Sequence, residues 1–295
     1  MNKFTILIPV YNDWESLKKL LNTINENIQD ISNTEFNCVI VNDSSTENRP
    51  EIKVPPKIAS IKIIHMKKNK GHARCNAFGI KYLSKSSDVG HVILMDGDGE
   101  DRPEELKLLV DKVLSEPSIS VVAKRVRRSE GLLFQTLYHI HKYLTLITTG
   151  KLINFGNYSC LTKIDLGILS TKASLWSSFS GSFKKHIKKY NEINSYRGVR
   201  YFGPSQMSLF KLIIHSLSII AVFKYRVFFI SFILIFLFQY LAVFTSFNFL
   251  LFQIMLILFN LFVFIVSFRE NEIELKNSEL NINNTEELTH YEVEK

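Results

Sequence analysis

A cluster of acidic residues follows an apolar run within residues 92–101. The apolar run, residues 92–95, is typical of a strand that is buried on both faces, and the two glycines after it allow a tight turn. Asp96, Asp98 and Glu100 alternate along the chain, so an extended backbone can direct all three side chains to one side. Carboxylates gathered at a strand end suit a hard divalent ion, Mg²⁺ or Mn²⁺, which would hold a diphosphate. A solvated acidic turn that caps the next helix is the alternative.

The elements that must position this cluster are predicted by hydrophobic periodicity. Short apolar runs predict strands at Phe4–Val10, Phe36–Val41, Ile58–Met66, His91–Met95 and Ser118–Ala123. Helical spacing predicts helices at Trp14–Glu26, Gly71–Leu83 and Glu104–Leu114. Strands that alternate with helices of this length imply an α/β fold, a mostly parallel Rossmann-like sheet with helices on both faces. Ligands bind such sheets at the carboxyl ends of the strands, where Tyr11–Asp13, Asp43 and the acidic cluster would meet.

The apolar content rises sharply near the C-terminal end. Residues 227–268 contain two uncharged runs of about 20 residues, each long enough to cross a hydrocarbon core of roughly 30 Å. Lys224 and Arg226 precede the first run and Arg269 follows the second, so both ends of the hairpin are expected on the cytoplasmic side. The N-terminal apolar run is too short for a signal peptide. A buried core hairpin is the alternative reading.

These observations divide the chain into four predicted parts. They are a cytosolic catalytic domain over residues 1–203, a juxtamembrane amphipathic helix over 204–226, two transmembrane helices over 227–268, and a tail over 269–295. Ser205 can cap the juxtamembrane helix. Residues 133–147 have helical spacing, which predicts a helix that covers the sheet or lies at the membrane interface.

The charge is distributed unevenly along the chain. The net charge is +8, but the last 27 residues carry eight glutamates against three basic residues, and this polar tail is expected to be disordered. The basic remainder, concentrated between Lys184 and Arg226, suits an anionic membrane surface. No motif indicates binding to nucleic acid. Three widely spaced cysteines show no metal-ligand spacing and fit core positions in a reducing compartment.

Four motifs occur in a characteristic order. They are Ile8-Pro9-Val10-Tyr11-Asn12-Asp13, Val41-Asn42-Asp43-Ser44-Ser45, Gly71-His72-Ala73-Arg74-Cys75-Asn76 and Met95-Asp96-Gly97-Asp98-Gly99-Glu100. This set resembles the family 2 glycosyltransferases and covers about the first 130 residues. Within that family the chain is similar to the polyprenyl-phosphate hexosyltransferases. Its predicted hydrophobic hairpin also resembles the membrane segments of that subgroup. The resemblance implies a GT-A fold, a nucleotide-sugar donor, a divalent metal and inversion at the anomeric carbon.

The resemblance also implies roles for individual residues. Pro9, Tyr11 and Asp13 would line the nucleoside pocket, and Asp43 would hold the base or the ribose. Gly71 and Arg74 would take part in donor binding. Asp96, Asp98 and Glu100 would hold the metal. Catalysis at the phosphates would involve Asp96 and Asp98 together with Arg125 and Arg128, because arginine can bind a phosphate in a bidentate way.

Two residues depart from the family pattern. Asn42 occupies a position where relatives often carry Asp, and Glu100 stands where Gln is common. Asn can accept a similar hydrogen bond without the charge, whereas Glu adds negative charge beside the metal site. The choice of base and the strength of metal binding are therefore left open.

The expected function is a metal-dependent transfer of a hexose from a UDP- or GDP-sugar to polyprenyl phosphate. The enzyme would be a multi-pass protein of the cell inner membrane with a cytoplasmic catalytic domain, and a homo-oligomer is an open option. A phosphate acceptor is ionised near neutral pH, so no dedicated catalytic base is required. His72, His139 and His141 are expected to be surface or helix residues. The alternatives are transfer to a hydroxyl of a glycan or lipid-linked oligosaccharide, and a catalytically silent scaffold that binds a nucleotide sugar.

Overall fold

Eight strands form one mixed sheet in a computed structural model that describes residues 1–127, 142–204, 208–245 and 247–290. The spatial order of the strands is β7-β5-β6-β4-β1-β2-β3-β8. The strands are β1 (Asn2–Val10), β2 (Thr34–Asn42), β3 (Ile58–Met66), β4 (His91–Leu94), β5 (Val121–Arg127), β6 (Phe155–Thr162), β7 (Asn191–Tyr196) and β8 (Ile282–Leu288). The helices are α1 (Trp14–Asn27), α2 (His72–Ser84), α3 (Leu106–Ser115), α4 (142–149), α5 (Lys163–Ser170), α6 (Phe179–His186), α7 (Leu209–Ala221), α8 (Lys224–Phe244), α9 (Leu250–Ser267) and α10 (Glu272–Lys276).

The predicted α/β class is confirmed, and the sheet is parallel at its centre and mixed at its edges. Strands β4, β1, β2 and β3 are all parallel, as the alternation of strands and helices requires. Strand β6 runs antiparallel to β4 and β5, and β8 runs antiparallel to β3. The sequence analysis did not predict β6, β7 or β8, because these strands contain many polar residues and lack a continuous apolar run.

Both faces of the central strands are covered by helices. On β1, Ile6 and Ile8 point into one core with α1 and α3, whereas Leu7 points into a second core with α2, α5 and α6. All three side chains are fully buried. This alternation explains why the strand is a continuous apolar run, and it fixes the strand ends at one polar rim.

The acidic tail is folded onto the sheet, so the prediction of a disordered tail is wrong for residues 272–288. Strand β8 pairs with β3 from Ile61 to Met66 and covers the edge of the sheet. Glutamates of α10, of β8 and of the segment between them contact basic groups of the domain. These contacts join Glu274 to Lys70, Glu279 to Lys81 and Lys85, Glu286 to Arg49, and Glu287 to Lys62. The tail has too few apolar residues to fold by itself. It is stabilised by the positive charge of the first 268 residues and by pairing with the free edge of β3.

The two long apolar helices, α8 and α9, form the predicted hairpin. Both are long and apolar enough to cross a membrane, and only 11% and 17% of their most apolar stretches is buried. A core helix of a soluble domain would be mostly buried, so this exposure favours a membrane environment over the core-hairpin reading. The ends of the hairpin meet the domain at a small apolar cluster that includes Ile220 on α7, Val227 on α8 and Val263 on α9.

The helix that precedes the hairpin is shorter than predicted. Helix α7 begins at Leu209, and the Ser208 hydroxyl accepts a hydrogen bond from the Lys211 N–H at 3.3 Å. Ser208 therefore caps this helix, whereas Ser205, the predicted cap, lies outside the described residues. Of the predicted helix at 133–147, only residues 142–147 are described, and they are helical.

Candidate functional site

The acidic turn at residues 96–101 lies at the carboxyl end of β4, as the sequence predicts. Gly99 adopts a φ of +89°, a conformation that favours glycine. Asp96 Oδ1 lies 3.0 Å from His72 Nε2 and accepts a hydrogen bond from the Asn157 amide at 3.2 Å. Burial opposes ionisation, but the His72 imidazole, Arg125 and Asn157 hold the pKa of Asp96 well below its usual range. Asp96 is therefore a permanent anion at this rim.

A segment that follows β7, residues 197–202, covers the same turn, and we call it the strap. The Tyr201 N–H donates to the Asp98 carbonyl at 2.9 Å, and the Gly198 N–H donates to the Glu100 carbonyl at 2.8 Å. A Cβ on Gly198 would lie 2.5 Å from the Gly99 carbonyl oxygen, so only glycine allows this approach. The backbone of the strap thus pairs directly with the backbone of the acidic turn.

The strap supplies cations to the carboxylates. Arg200 Nη1 donates to Asp98 Oδ2 at 2.8 Å, and its Nη2 contacts Asp13. Arg197 pairs with Glu100. Burial, together with the charges of Asp96 and Glu100, raises the pKa of Asp98 to about 6, although the Glu100 N–H and Arg200 oppose this rise. The turn therefore holds more negative charge than its site easily accommodates, and the arginines offset part of it.

The predicted metal ligands are close together but do not form a shared ligand set. Asp96 faces His72, Asp98 faces Arg200 and Glu100 faces Arg197. Across the part of the chain that the structure describes, no group of three or more His, Cys, Asp or Glu side chains is arranged to hold a metal ion. The side-chain types suit Mg²⁺ or Mn²⁺, but in this conformation each carboxylate is engaged by a cationic side chain of the protein.

A buried carboxyl group and a partly buried guanidinium lie behind the turn. Asp101 is 4% exposed and accepts a hydrogen bond from the Asp96 N–H at 3.0 Å. Burial and the neighbouring Asp96 raise the pKa of Asp101 to about 8, against the influence of Arg125, whose Nη2 lies 3.8 Å from Asp101 Oδ1. The predicted phosphate ligand Arg125 thus faces a carboxylate beneath the turn. Arg128, its predicted partner, lies outside the described residues.

Asp43 is engaged by the backbone of the loop before α2. Its two oxygens accept hydrogen bonds from the Lys70 N–H at 2.8 Å and the Gly71 N–H at 2.7 Å. Asp43 is only 3% exposed, and Gly71 has a φ of +90°. The structure therefore shows Asp43 and Gly71 shaping this loop, a positioning task that differs from the direct contact with base or ribose that the sequence analysis predicted.

The remaining predicted residues of the nucleoside pocket lie around the same rim. Pro9 is buried at the end of β1 and pairs in register with Val41. The Tyr11 ring is 47% exposed beside it and offers a face for stacking. Asp13 is held by Arg200. Arg74 lies farther along α2, where its guanidinium is 6.0 Å from the centre of the Trp176 ring.

Sequence reasoning missed several residues of this site. His72 was expected to be a surface or helix residue, and it is an exposed residue at the start of α2, but its contact with Asp96 was not predicted. Partial desolvation lowers the pKa of His72, but the charges of Asp96, Asp98 and Asp101 raise it more. Arg197 and Arg200 are about 100 positions from the turn that they cover. Their one available signal is the basic character of the chain between Lys184 and Arg226.

The sequence of this chain is similar to those of known proteins from one family. The family model described as glycosyl transferase family 2 matches residues 5–179. Undecaprenyl-phosphate 4-deoxy-4-formamido-L-arabinose transferase of Salmonella choleraesuis (strain SC-B67) is 26% identical over 221 residues, which cover 72% of this chain and 65% of the relative. The same-named protein of Salmonella paratyphi B is 25% identical over the same shares. The chain thus spans less than two thirds of the length of these curated relatives.

Solved structures with a related architecture have low sequence identity. Glucosyl-3-phosphoglycerate synthase from Mycobacterium tuberculosis, in complex with Mn²⁺, uridine diphosphate and phosphoglyceric acid, is 13% identical with a TM-score of 0.49. That match covers 77% of this chain and 78% of the synthase. S. aureus TarS 1-349 in complex with UDP-GlcNAc is 15% identical with a TM-score of 0.46, over 75% of this chain and 66% of TarS.

Proposed function

The chain belongs to glycosyl transferase family 2, and on that premise we propose that it is a membrane-bound inverting glycosyltransferase that moves a hexose from a nucleotide-diphosphate sugar to polyprenyl phosphate. The observation that carries this proposal is the union of a family 2 domain with the α8–α9 hairpin, whose ends contact that domain. Relatives named as undecaprenyl-phosphate sugar transferases support the acceptor. The product would serve cell-surface glycan synthesis.

The rim residues have the chemistry that a diphosphate donor requires. Asp13 and Asp98 are bridged by Arg200, so a cation is already present where the diphosphate would lie. Mg²⁺ or Mn²⁺ is part of the proposal, with Asp96, Asp98 and Glu100 as the residues that would hold it; the ion would offset the charge of the diphosphate. Arg197 and Arg200 would have to release these carboxylates first. UDP- and GDP-hexoses are the proposed donors.

The rim also has the chemistry that a phosphate acceptor requires. A phosphate monoester carries its negative charge near neutral pH and needs cations that orient it rather than a base that deprotonates it. Arg197 and Arg200 are two guanidiniums on one strap, and each can bind a phosphate through two N–H groups. We propose that both arginines bind the acceptor phosphate when the metal ion is held by the carboxylates.

Transfer to a hydroxyl is the second candidate, and one observation favours it. His72 lies 3.0 Å from Asp96, as a general base does beside the group that orients it. Desolvation lowers the pKa of His72, and the carboxylates around it raise the pKa more. The relatives named as undecaprenyl-phosphate transferases support the phosphate acceptor over a hydroxyl.

The topology of the chain supports a cytoplasmic catalytic domain in an inner membrane. Lys224 at the start of α8 lies 3.3 Å from Glu270 after α9, so the two ends of the hairpin are adjacent. Strand β8, which follows the hairpin, pairs with the same sheet that precedes it. This adjacency supports the proposal that both ends lie on one side of the membrane, and the basic flanks support the cytoplasm as that side.

A transfer assay with a panel of donors tests this proposal. Purified full-length protein in detergent is given undecaprenyl phosphate, Mg²⁺ or Mn²⁺, and one labelled UDP- or GDP-hexose at a time. The proposal expects a labelled glycolipid with at least one donor. Tight donor binding without transfer to any lipid would instead support a silent nucleotide-sugar-binding protein, and product formed only on a glycan hydroxyl would support the second candidate.

A further inference from the structure

We infer that the C-terminal strand β8 forms one wall of the pocket for the base of the donor nucleotide and helps to determine which base binds. This inference rests on the proposed function, because it concerns the donor of that reaction. It assigns a role to a tail that folds back onto the domain after the membrane hairpin.

A polar cavity lies where β8 meets the ends of β2 and β3. Its volume is about 300 Å³, and its lining residues are Asn42, Ser44, Ser45, His65, Met66, Lys67 and Asn283. The Asn12 N–H donates to the Ser45 hydroxyl at 2.9 Å, so the cavity adjoins the loop that carries the exposed ring of Tyr11. It is therefore placed beside the predicted nucleoside pocket, at the carboxyl ends of parallel strands.

A β-bulge brings Asn283 to this cavity. His65 pairs with Asn284 and Met66 pairs with Ile282, so Asn283 is the extra residue that has no partner in the ladder. Bulges of this kind redirect a side chain and occur beside functional sites. The segment before the bulge is fixed to the domain, since the Lys67 N–H donates to the Asn281 carbonyl at 2.7 Å and the Asn281 amide donates to the Lys68 carbonyl at 3.0 Å.

The tail also orients Asn42 through His65. The Ser45 N–H donates to Asn42 Oδ1 at 3.0 Å, which fixes the orientation of the amide and directs Asn42 Nδ2 at His65 Nδ1, 2.9 Å away. An amide N–H can only donate, so Nδ1 must accept and the proton of the neutral ring lies on Nε2. Glu286 Oε1 on β8 lies 3.1 Å from that nitrogen, a close polar contact without the geometry of a hydrogen bond. Glu286 is itself held by Arg49 at 2.6 Å.

This arrangement determines what Asn42 can offer a ligand. One amide hydrogen and one lone pair of Asn42 are used by His65 and Ser45, which leaves one donor and one acceptor. A paired donor and acceptor complements a base edge on which an acceptor lies beside a donor, which is –CO–NH– in uracil and guanine and –N=C–NH2 in cytosine and adenine. The Asn42 amide can therefore bind the edge of a base, and the residues around it select among the bases. The Asn283 amide adds a second donor and acceptor at the same cavity, from the tail.

Nucleotide binding by full-length protein in detergent tests the inference. Isothermal titration calorimetry with UDP, GDP, CDP and ADP gives the affinity for each base and the ratio between the preferred nucleotide and the others. Asn283→Ala is compared with Asn284→Ala, whose exposed side chain does not line the cavity. Glu286→Ala is compared with Glu287→Ala, which removes only a contact to Lys62 at 3.6 Å. Glu286→Gln retains an acceptor for His65. Equal Tm values exclude loss of the fold.

The expected result is specific to the cavity residues. Wild type binds one of the four nucleotides more tightly than the others, and Asn283→Ala weakens the binding of that nucleotide about 10-fold while the others change little. Glu286→Ala lowers the ratio of affinities between the preferred nucleotide and the others, Glu286→Gln restores most of that ratio, and both neighbouring controls match wild type. If wild type shows the preference and all variants retain it, the role of the tail is wrong. If wild type binds none of the four nucleotides, the proposed function itself fails.

Discussion

Arg200 joins the carboxylates of Asp13 and Asp98, which are 85 positions apart in the sequence. Its Nη1 donates to Asp98 Oδ2 at 2.8 Å, its Nη2 contacts Asp13, and its Nε donates to the Phe202 carbonyl at 2.9 Å. The side chain is 16% exposed, so these contacts are only partly screened by solvent. A single guanidinium therefore connects the loop after β1 to the loop after β4 and holds the strap on the rim.

Replacing Arg200 by lysine keeps the positive charge but removes the planar guanidinium, whose N–H groups bind two partners at once. One ammonium cannot reach Asp13, Asp98 and an acceptor phosphate with the same geometry. We expect kcat/KM for undecaprenyl phosphate to fall about 10- to 100-fold, as for the loss of one or two charge-assisted hydrogen bonds. Arg102→Lys is the matched control, because Arg102 is on the same rim and its ion pair among the described residues is with the exposed Glu104. Equal losses in the two variants would remove Arg200 from the site.

Asp98→Asn preserves shape and removes charge. We expect the rate of glycolipid formation to fall by about 100-fold or more, because a charged group at the reacting phosphates contributes on that scale. Asp111→Asn, which alters an exposed i,i+4 pair with Lys107, serves as the control. Immunoblots of the membrane fraction check that both variants are inserted equally. Full activity in Asp98→Asn would contradict the role of the acidic turn.

The pH dependence of stability reports on Asp101. Burial and Asp96 raise the pKa of Asp101 from 3.8 to about 8 in the folded chain, so the folded state retains a proton that the unfolded state releases. Stability from this group is full below pH 4 and is lost as the pH rises to about 8. Asp101→Asn, which cannot ionise, should therefore gain several degrees in Tm relative to wild type between pH 4 and pH 8, with little further gain above pH 8. A difference in Tm that stays constant across this range would contradict the raised pKa of Asp101.

The topology of the hairpin can be tested by cysteine labelling with a membrane-impermeant maleimide. The native thiols Cys38, Cys75 and Cys160 are buried, and burial raises the pKa of each, so the background is low. Thr245→Cys, at the tip of the hairpin, should react in intact cells after the outer membrane is permeabilised. Asn277→Cys, in the tail, should react only after the inner membrane is disrupted. If the cysteines at positions 245 and 277 were both labelled from outside the inner membrane, the predicted cytoplasmic location of the catalytic domain would be wrong.

The features that depend on local sequence were predicted well. Apolar runs and helical spacing identify β1, β2, β3 and β4 with the helices between them, because burial on one or both faces imposes those patterns. The acidic turn lies at a strand end for the same reason. The positions of Asp13, Asp98 and Tyr11 on one rim follow from the parallel order of the strands.

The features that depend on long-range contacts were not predicted. Arg200 meets Asp98 only because β7 and the strap return to the rim, and nothing in the local sequence around either residue records that pairing. Similarly, β8 is stable because β3 offers an edge and nearby basic groups such as Arg49 bind its glutamates. The composition of the acidic tail indicates disorder when the tail is considered alone. In the folded chain the tail covers a surface of opposite charge, which stabilises it.

The most direct test of the central claim compares two acceptors that differ only in the phosphate. Purified protein with its labelled donor is given undecaprenyl phosphate or undecaprenol, and the labelled lipid is measured by extraction and mass spectrometry. The account predicts a hexosyl phosphate lipid from the first acceptor and no product from the second, with the Arg200→Lys variant impaired on the first. Product from undecaprenol at a comparable rate would contradict it, because the rim would then be activating a hydroxyl rather than orienting a phosphate.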